Sequence, residues 1–301
     1  MKKFFKRFWF NSIGFQRIIV KLIVAFIPIK SKRREARKIL LAKSKELYLS
    51  QYLYAVEKDI EGDDKIKRQY NKIWICWLQG EENAPDIVKV CTKSVRKYKP
   101  DNMDIIIITE NNLKQYTNIP DYIYKKWKNK QIPNTQFSDI VRLSLLTIHG
   151  GIWIDSTVLL TASIPNDILN SKYFAFHSDI HGVSSNNWFL ISEPEHFFIK
   201  GIRNLIFEYW RVEDRLLDYF IYHLFVDSIV NRNQKFKNLW DNVVFYLDSN
   251  CYDFGDILLL QQYDEEKFNK VLQKTSIHKL KYKYDKTKDI KGTFLEKILS
   301  L

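Results

Sequence analysis

Three charged residues have the types and spacing that chemistry on a phosphorylated ligand requires. Asp139 and Arg142 lie three residues apart, so on a helix they would share one face. Such a pair can be a simple surface ion pair, worth less than about 1 kcal/mol. Alternatively, Arg142 can bind a diphosphate oxygen while Asp139 accepts hydrogen bonds from sugar hydroxyls. The spacing alone favours the surface ion pair.

The third charged residue, Asp155, follows the apolar run 152–154. An unpaired carboxylate buried in such a run is costly, unless it emerges at the end of a strand or meets a cation. A hard divalent ion such as Mg²⁺ or Mn²⁺ meets that need, because it takes one or two protein carboxylates together with phosphate oxygens and water. Asp155 is therefore a candidate metal ligand.

The segments around these residues alternate between strand and helix patterns. Uninterrupted apolar strands, as at 104–109, are typical of parallel sheets that helices cover on both faces. The order predicts an α/β fold with a mainly parallel, twisted sheet flanked by helices. The predicted strands are 72–78, 104–109 and 152–154, and the predicted helices are 83–98, 121–130 and 135–149.

Ligands of such sheets bind outside the carboxyl ends of the strands. Three segments follow the predicted strands directly: Gln79 and Gly80, then Glu110 and Asn111, then 155–157. We expect these segments to lie around one cleft.

The net charge of +13 is concentrated at the N-terminus. Residues 1–38 contain twelve Lys or Arg and one acidic residue, whereas the rest of the chain contains 36 basic and 34 acidic residues. The nearly neutral body argues against a nucleic-acid partner. The three cysteines have no metal-ligand spacing, which favours reduced thiols in a cytosolic protein.

The N-terminal apolar run, 18–29, is shorter than the roughly twenty residues that span a bilayer. Basic residues follow it at 30–34 without a small-residue cleavage site, which argues against a signal peptide. The pattern predicts a peripheral anchor on an anionic membrane surface, at the cytoplasmic face. The alternative is an ordinary helix packed on the body. A helix from 31 to about 60 and the polar break at 61–64 divide the chain into a helical region, 1–60, and a catalytic body, 61–301.

Motifs in the body resemble a known family. Ser138-Asp139-x-x-Arg142, followed by Gly-Gly-Ile-Trp-Ile-Asp-Ser-Thr at 150–157, is similar to the capsular polysaccharide synthesis glycosyltransferases. These are relatives of the glycosyltransferases with a DXD sugar-binding motif. The resemblance extends over about 72–283. Its other fragments are 73–80, Asn187-Trp188-Phe189, Asp218-Tyr219-Phe220 with His223, and 276–280.

The resemblance implies a GT-A-type fold, a nucleotide-sugar donor with a UDP-sugar as the first expectation, a divalent metal (Mn²⁺ or Mg²⁺), and retention of anomeric configuration. The acceptor would be a growing bacterial surface polysaccharide, in this setting a lipid-linked one. By the same analogy Asp155 binds metal and donor, and His278 is a second candidate metal ligand. The candidate donor-binding residues are Gln79, Gly80, Ser138, Asp139, Arg142, Gly151, Asp155, His278 and Lys279. The candidate catalytic residues are Asp155, Arg142 and Asp218.

Thr157 departs from the family pattern, because the wider superfamily has a second carboxylate at that position. One acidic ligand should bind a metal more weakly than two. Two other functions stay open on these residues. One is a sugar-phosphate or nucleotidyl transferase, and the other is a membrane-docked scaffold that binds nucleotide sugars without turnover. Asp218 can equally well cap a helix or form a salt bridge.

Overall fold

A computed structural model describes residues 20–56, 70–180, 183–285 and 287–301. They fall into two compact units, one up to Leu53 and one from Tyr54 onward. In the first unit, residues 20–25 are helical and α1 runs over Lys30–Ser50. Most of the predicted anchor, 1–19, and the predicted boundary at 60 lie outside the described residues. No helix in the described part of the chain is both long and apolar enough to cross a bilayer.

A mixed five-stranded sheet forms the centre of the second unit. Its order is β2-β1-β3-β6-β5, with β1 parallel to both β2 and β3, and β6 antiparallel to β3 and β5. Four of these strands therefore point the same way, which confirms the mainly parallel sheet. The strands are β1 (Lys72–Cys76), β2 (Asp104–Ile108), β3 (Gly151–Ile154), β4 (Val158–Leu160), β5 (Tyr173–His177), β6 (Ser185–Ser192) and β7 (Ile277–Lys279).

Helices pack around this sheet. Proline and glycine mark the ends of the central helix: Pro133 directly precedes it and Gly150 directly follows it. The helices are α2 (Asp86–Tyr98), α3 (Leu113–Tyr116), α4 (Asp121–Lys128), α5 (Asn134–His149), α6 (Asn166–Leu169), α7 (Phe197–Val212), α8 (Ile221–Arg232), α9 (Gln234–Asp241), α10 (Glu265–Lys274) and α11 (Phe294–Leu299).

Helix α5 is the central helix of the body. It is buried from Gln136 to Thr147 except for Ser138, and this burial includes its two charged side chains, Asp139 and Arg142. Because α5 leads directly into β3, its N-terminal turns and the end of β3 are both fixed by the same strand–helix packing.

Strands β4 and β7 form a separate two-stranded antiparallel ribbon, with Val158 opposite Lys279. A second apolar core supports the ribbon, formed with α2, α10, α11 and the segment Asp253–Leu258. Leu280, the residue directly after β7, donates its N–H to the carbonyl oxygen of Thr157, the residue directly before β4, at 2.8 Å. The ribbon therefore holds the segment after β3 and the segment after β7 side by side.

Candidate active site

A cavity of about 450 Å³ lies at the carboxyl ends of β1 and β3. The first two turns of α5 and the segment 279–283 form its other walls. This is the edge of the sheet where the strand ends predicted a cleft. Gln79 and residues 155–157 line it, whereas Gly80, Glu110 and Asn111 do not. The lining side chains that carry charge or an aromatic ring are Trp77, Asp139, Arg142, Trp153, Asp155, Tyr219, His223, Lys279, Lys281, Tyr282 and Lys283.

Asp155 lies at the centre of a hydrogen-bond network in this cavity. Its Oδ1 accepts from Arg142 Nη2 at 3.2 Å and from Trp153 Nε1 at 2.9 Å. Its Oδ2 accepts from Lys279 Nζ at 2.7 Å. Burial alone would raise the pKa of Asp155, but the ammonium of Lys279 and the guanidinium of Arg142 outweigh burial and hold that pKa below its ordinary value. Asp155 is therefore a carboxylate at neutral pH.

Arg142 is held between the two carboxylates. Its Nη1 lies 3.3 Å from Asp139 Oδ1 and donates to the Asn187 carbonyl oxygen at 2.5 Å. Its guanidinium lies over the Trp153 ring, with 4.8 Å between Cζ and the ring centroid. Its Nε is buried without a protein partner. The spacing favoured a surface pair, yet the side chain of Arg142 is only 5% exposed. The pair is buried because α5 is the central helix.

Asp139 differs from Asp155 in its protonation. Its Oδ1 accepts from Asn187 Nδ2 at 2.9 Å. Burial raises the pKa of Asp139 to about 7, with Asp155 adding to the rise and Arg142 opposing it. The same network thus contains one permanent carboxylate and one carboxyl group that titrates near neutral pH.

Lys279 reaches the cavity from β7. Its Nζ donates to Thr157 Oγ1 at 2.9 Å as well as to Asp155. Neighbouring residues of a strand point to opposite faces, so the residue before it must point elsewhere. His278 is indeed fully buried outside the cavity, with its Nε2 3.0 Å from Thr161 Oγ1 and its ring packed on Phe254.

The remaining candidates divide between the cavity and the scaffold. Gln79 and Ser138 line the cavity. Gly80 does not; it has a φ of +88° and closes a turn by donating to the Trp77 carbonyl oxygen at 3.0 Å. Asp218 is also absent from the lining, because its Oδ1 accepts from the Phe220 N–H at 2.8 Å just before α8 begins. The N-cap of α8 is Phe220 and no side chain caps this helix, so the bond from Phe220 to Asp218 closes a turn before α8.

Gly151 lies at the opposite end of β3 from Asp155. Its φ is +109°, and a Cβ there would collide with the Lys72 carbonyl oxygen on β1. Glycine is needed here for conformation and for close strand approach, and Gly151 does not line the cavity.

Several cavity residues carried no sequence signal for their position. Asn187 belongs to β6, the antiparallel strand that no prediction included, and it ties β6 to Asp139. Tyr282 packs edge-on against Trp77 with 5.4 Å between ring centroids, although the two are about 200 residues apart. Asn187 and Trp77 belong to family-like fragments, whereas Tyr282 has no such signal in the sequence.

The residues do not fit the divalent cation that the resemblance implies. Both oxygens of Asp155 already contact a cationic nitrogen, and the second motif position is Thr157, whose Oγ1 contacts Lys279. His278 lies outside the cavity. Within the described ranges, no cluster of three or more His, Cys, Asp or Glu could hold a metal.

Comparison with known proteins gives matches among solved structures and one to a family model. A solved structure of the PaToxG glycosyltransferase is 14% identical, covers 68% of this chain and 84% of its own, and has a TM-score of 0.38, too low to support an argument about function. No curated protein sequence matches. The family model described as "Capsular polysaccharide synthesis protein" matches residues 24–298. The chain therefore belongs to the capsular polysaccharide synthesis protein family.

Proposed function

We propose that the protein is a glycosyltransferase that moves a sugar from a nucleoside diphosphate donor, with UDP-sugars as the first candidates, to a growing bacterial surface polysaccharide. The charge of the cavity carries this proposal. Among the described residues that line it, four are cationic (Arg142, Lys279, Lys281 and Lys283) and two are acidic (Asp139 and Asp155). Such a surplus at the carboxyl ends of the strands suits a dianionic diphosphate.

The walls suggest how the donor is oriented. Trp77 and Tyr282 offer aromatic surface for a nucleobase near the end of β1. The first turn of α5 has no side-chain cap, so its N–H groups add positive potential beside Ser138 and Gln136. We assign the diphosphate to the part of the cavity beside Arg142 and Lys279, and the ribose to the side of Gln79.

The leaving group defines the chemical task. When the bond from the anomeric carbon to the diphosphate oxygen breaks, negative charge grows on that oxygen. Preorganised cations stabilise such charge, and this electrostatic contribution is usually the largest in catalysis. Arg142 is fixed by Asp139, Asp155 and Asn187, and Lys279 is fixed by Asp155 and Thr157. Neither cation needs to reorganise during the reaction.

The retention that we propose needs either a carboxylate nucleophile or same-face attack guided by the leaving phosphate. Asp155 has both oxygens bound to cations, and Asp139 is buried behind Arg142. Neither is free to attack the anomeric carbon. We therefore propose retention by same-face attack, in which the departing phosphate oxygen accepts the proton of the acceptor hydroxyl.

The acceptor would be lipid-linked, with the protein peripheral on the cytoplasmic face of the membrane through 1–38. In the described part of that region, Leu22, Ile23 and Phe26 are exposed, and Phe26 is 89% exposed. Lys30, Lys32 and Arg33 follow them and are also exposed. Apolar side chains next to basic ones suit an anionic lipid surface.

Donor binding and turnover test the proposal. We expect calorimetry on the full chain to detect one nucleoside diphosphate among UDP, GDP, CDP, ADP and dTDP, and the matching sugar donor to be hydrolysed slowly or transferred. Arg142→Met should weaken that binding, whereas Lys237→Met, which removes an exposed lysine paired with Asp241, should not. Binding of none of the five, by folded protein, would overturn the proposal.

The same assay separates the alternatives. Release of a nucleoside diphosphate with sugar transfer identifies a glycosyltransferase, whereas release of a nucleoside monophosphate identifies a sugar-phosphate transferase and pyrophosphate a nucleotidyl transferase. Donor binding without hydrolysis or transfer to any extracted glycan acceptor would favour the scaffold.

A further inference from the structure

The cationic group that contacts Asp155 Oδ2 is the side chain of Lys279. Lys279 Nζ bridges Asp155 Oδ2 at 2.7 Å and Thr157 Oγ1 at 2.9 Å. Residues 155 and 157 are the two positions of the acidic motif whose carboxylates would hold a metal in the wider superfamily. The ammonium therefore lies where such an ion would meet both motif residues.

The polypeptide fixes this ammonium in place. Lys279 pairs with Val158 across the β4–β7 ribbon, and the Leu280 N–H bonds the Thr157 carbonyl oxygen at 2.8 Å. The motif directly precedes β4, and Lys279 is the last residue of β7, so the two strands of the ribbon hold them next to each other. The side chain of Lys279 is only 18% exposed, so it is packed at the cavity wall and is not a mobile surface lysine.

A divalent ion would face direct competition here. A Mg²⁺ ion bonded to Asp155 would need to lie at about 2.0–2.1 Å from a carboxylate oxygen, closer than the nitrogen atoms of Lys279 and Arg142 that already contact both oxygens. The ion would also lie close to two positive charges, which repel it. Thr157 can neither add negative charge nor offset this repulsion. A neutral threonine at 157 is consistent with a lysine ammonium bonded to its Oγ1.

We propose that Lys279, together with Arg142, takes the place of the divalent metal, so that this protein binds and activates the donor diphosphate without a metal ion. This inference rests on the proposed function, because it concerns the same diphosphate. On donor cleavage, the electron pair of the breaking carbon–oxygen bond stays on the diphosphate oxygen, and the Lys279 ammonium donates a hydrogen bond to that diphosphate. The acceptor proton passes to the departing phosphate.

Calorimetry with the five nucleoside diphosphates, in excess EDTA and again in Mn²⁺, tests the inference on the full chain. We expect the best ligand to bind with the same affinity within about twofold in both buffers. Lys279→Met should weaken that ligand by about 30-fold or more, because it loses a charge-assisted hydrogen bond. Lys279→Arg should retain most of the affinity, since it keeps the charge.

Two controls separate a local effect from misfolding. The nucleoside monophosphate of the same base should bind Lys279→Met and wild type equally if the ammonium contacts only the outer phosphate. Lys72→Met removes another lysine paired with one aspartate at 2.7 Å, Asp104, at the opposite end of β1. It should leave diphosphate affinity unchanged.

Three results have distinct meanings. Diphosphate binding that requires Mn²⁺, or a Lys279→Met variant with unchanged diphosphate affinity, would overturn the metal-free inference and leave the proposed function intact. Binding of no nucleoside diphosphate in either buffer would overturn the proposed function and the inference with it. As an independent readout, the electron paramagnetic resonance signal of free Mn²⁺ in a mixture with the ligand should not fall when protein is added.

Discussion

His278 and Lys279 are adjacent on β7, yet their side chains lie in different environments. Lys279 Nζ is 2.7 Å from Asp155 Oδ2 in the cavity, whereas His278 Nε2 is 3.0 Å from Thr161 Oγ1 in the second apolar core. Successive side chains of a strand point to opposite faces, so only one of these two neighbours can face the cavity. The cavity therefore contains the lysine side chain, and the second apolar core contains the imidazole.

The buried position of His278 predicts a pH-dependent stability. Burial lowers the pKa of His278 from 6.5 to about 4. Between those values the unfolded chain binds a proton that the native protein does not, so the free energy of unfolding falls as the pH falls from 6.5 to 4. The contribution is on the order of 3 kcal/mol across the window. His278→Gln should remove this part of the slope.

Urea unfolding at several pH values between 4 and 7 measures that slope. Nucleoside diphosphate affinity at neutral pH serves as the second readout, and we expect His278→Gln to leave it within about twofold of wild type. A large loss of affinity at neutral pH would instead place His278 in the donor site.

A second pH effect should come from Asp139 and concern binding. Burial raises the pKa of Asp139 to about 7. Below that pH the group is neutral, and Arg142 can direct its charge to a diphosphate; above it, the carboxylate competes for Arg142. Affinity for a UDP-sugar should therefore fall by several-fold, on the order of 1 kcal/mol, as the pH rises from 6 to 8.

Asp139→Asn is the matched variant, because an amide oxygen can still accept from Asn187 Nδ2. Its affinity should be independent of pH in the same window. Asp155, whose pKa lies below its ordinary value, stays ionised throughout and does not contribute. A wild-type profile that is flat, or one that Asp139→Asn does not flatten, would contradict the assignment. A nucleoside diphosphate sugar is the better probe, since its diphosphate has no ionisation near neutral pH.

The Arg142 network should be required for stability as well as for binding. Arg142→Met would leave Asp139 and Asp155 without their shared guanidinium, and removing one partner of a buried pair costs about 3–5 kcal/mol. Asp139→Asn combined with Arg142→Met should cost less than Arg142→Met alone, because the uncompensated buried charge is gone. Denaturant unfolding of the two variants gives the comparison. Equal losses would indicate that Arg142 stabilises by packing on Trp153 and not by charge.

The sequence predicted the parts of this site that depend on local pattern. Strand ends located Gln79 and Asp155, and helical spacing placed Asp139 beside Arg142; the structure brings all four into one cavity. These predictions need only the period of a helix or a strand and the rule for the edge of a parallel sheet.

The parts that the sequence could not predict depend on long-range pairing. Nothing local indicates that β6 inserts antiparallel between β3 and β5 and brings Asn187 to Asp139. The choice between His278 and Lys279 depends on the register of β7 against β4, which a one-residue shift would reverse. Burial of the Asp139–Arg142 pair likewise depends on what packs around α5.

Gly151 should act through stability rather than through donor binding. Gly151→Ala adds a Cβ against the Lys72 carbonyl oxygen at a φ of +109°, and we expect a loss of about 2 kcal/mol or more in the free energy of unfolding. The folded fraction of the variant should bind nucleoside diphosphate with wild-type affinity. Gly292→Ala, at a φ of +71° with only the Gln262 side chain nearby, should cost less. Normal stability with weakened nucleoside diphosphate binding would instead indicate that Gly151 contacts the donor.

The exposed apolar residues of the first unit should bind lipid. Leu22 and Ile23 lie four and three residues before Phe26, and each of the three side chains is more than half exposed. Replacing all three by Ser removes apolar area worth on the order of 1 kcal/mol or more per side chain at an interface. We expect sedimentation with anionic phosphatidylglycerol vesicles to weaken at least about tenfold.

The matched control is Leu47→Ser, which changes an equally exposed leucine (62%) on α1 of the same unit. It should sediment like wild type. Binding of the wild type should also decrease with added salt, because the basic residues at 30–34 contribute electrostatically. Equal sedimentation of the triple variant and the wild type would show that these side chains do not insert, and would favour an ordinary helix with a solvated basic face.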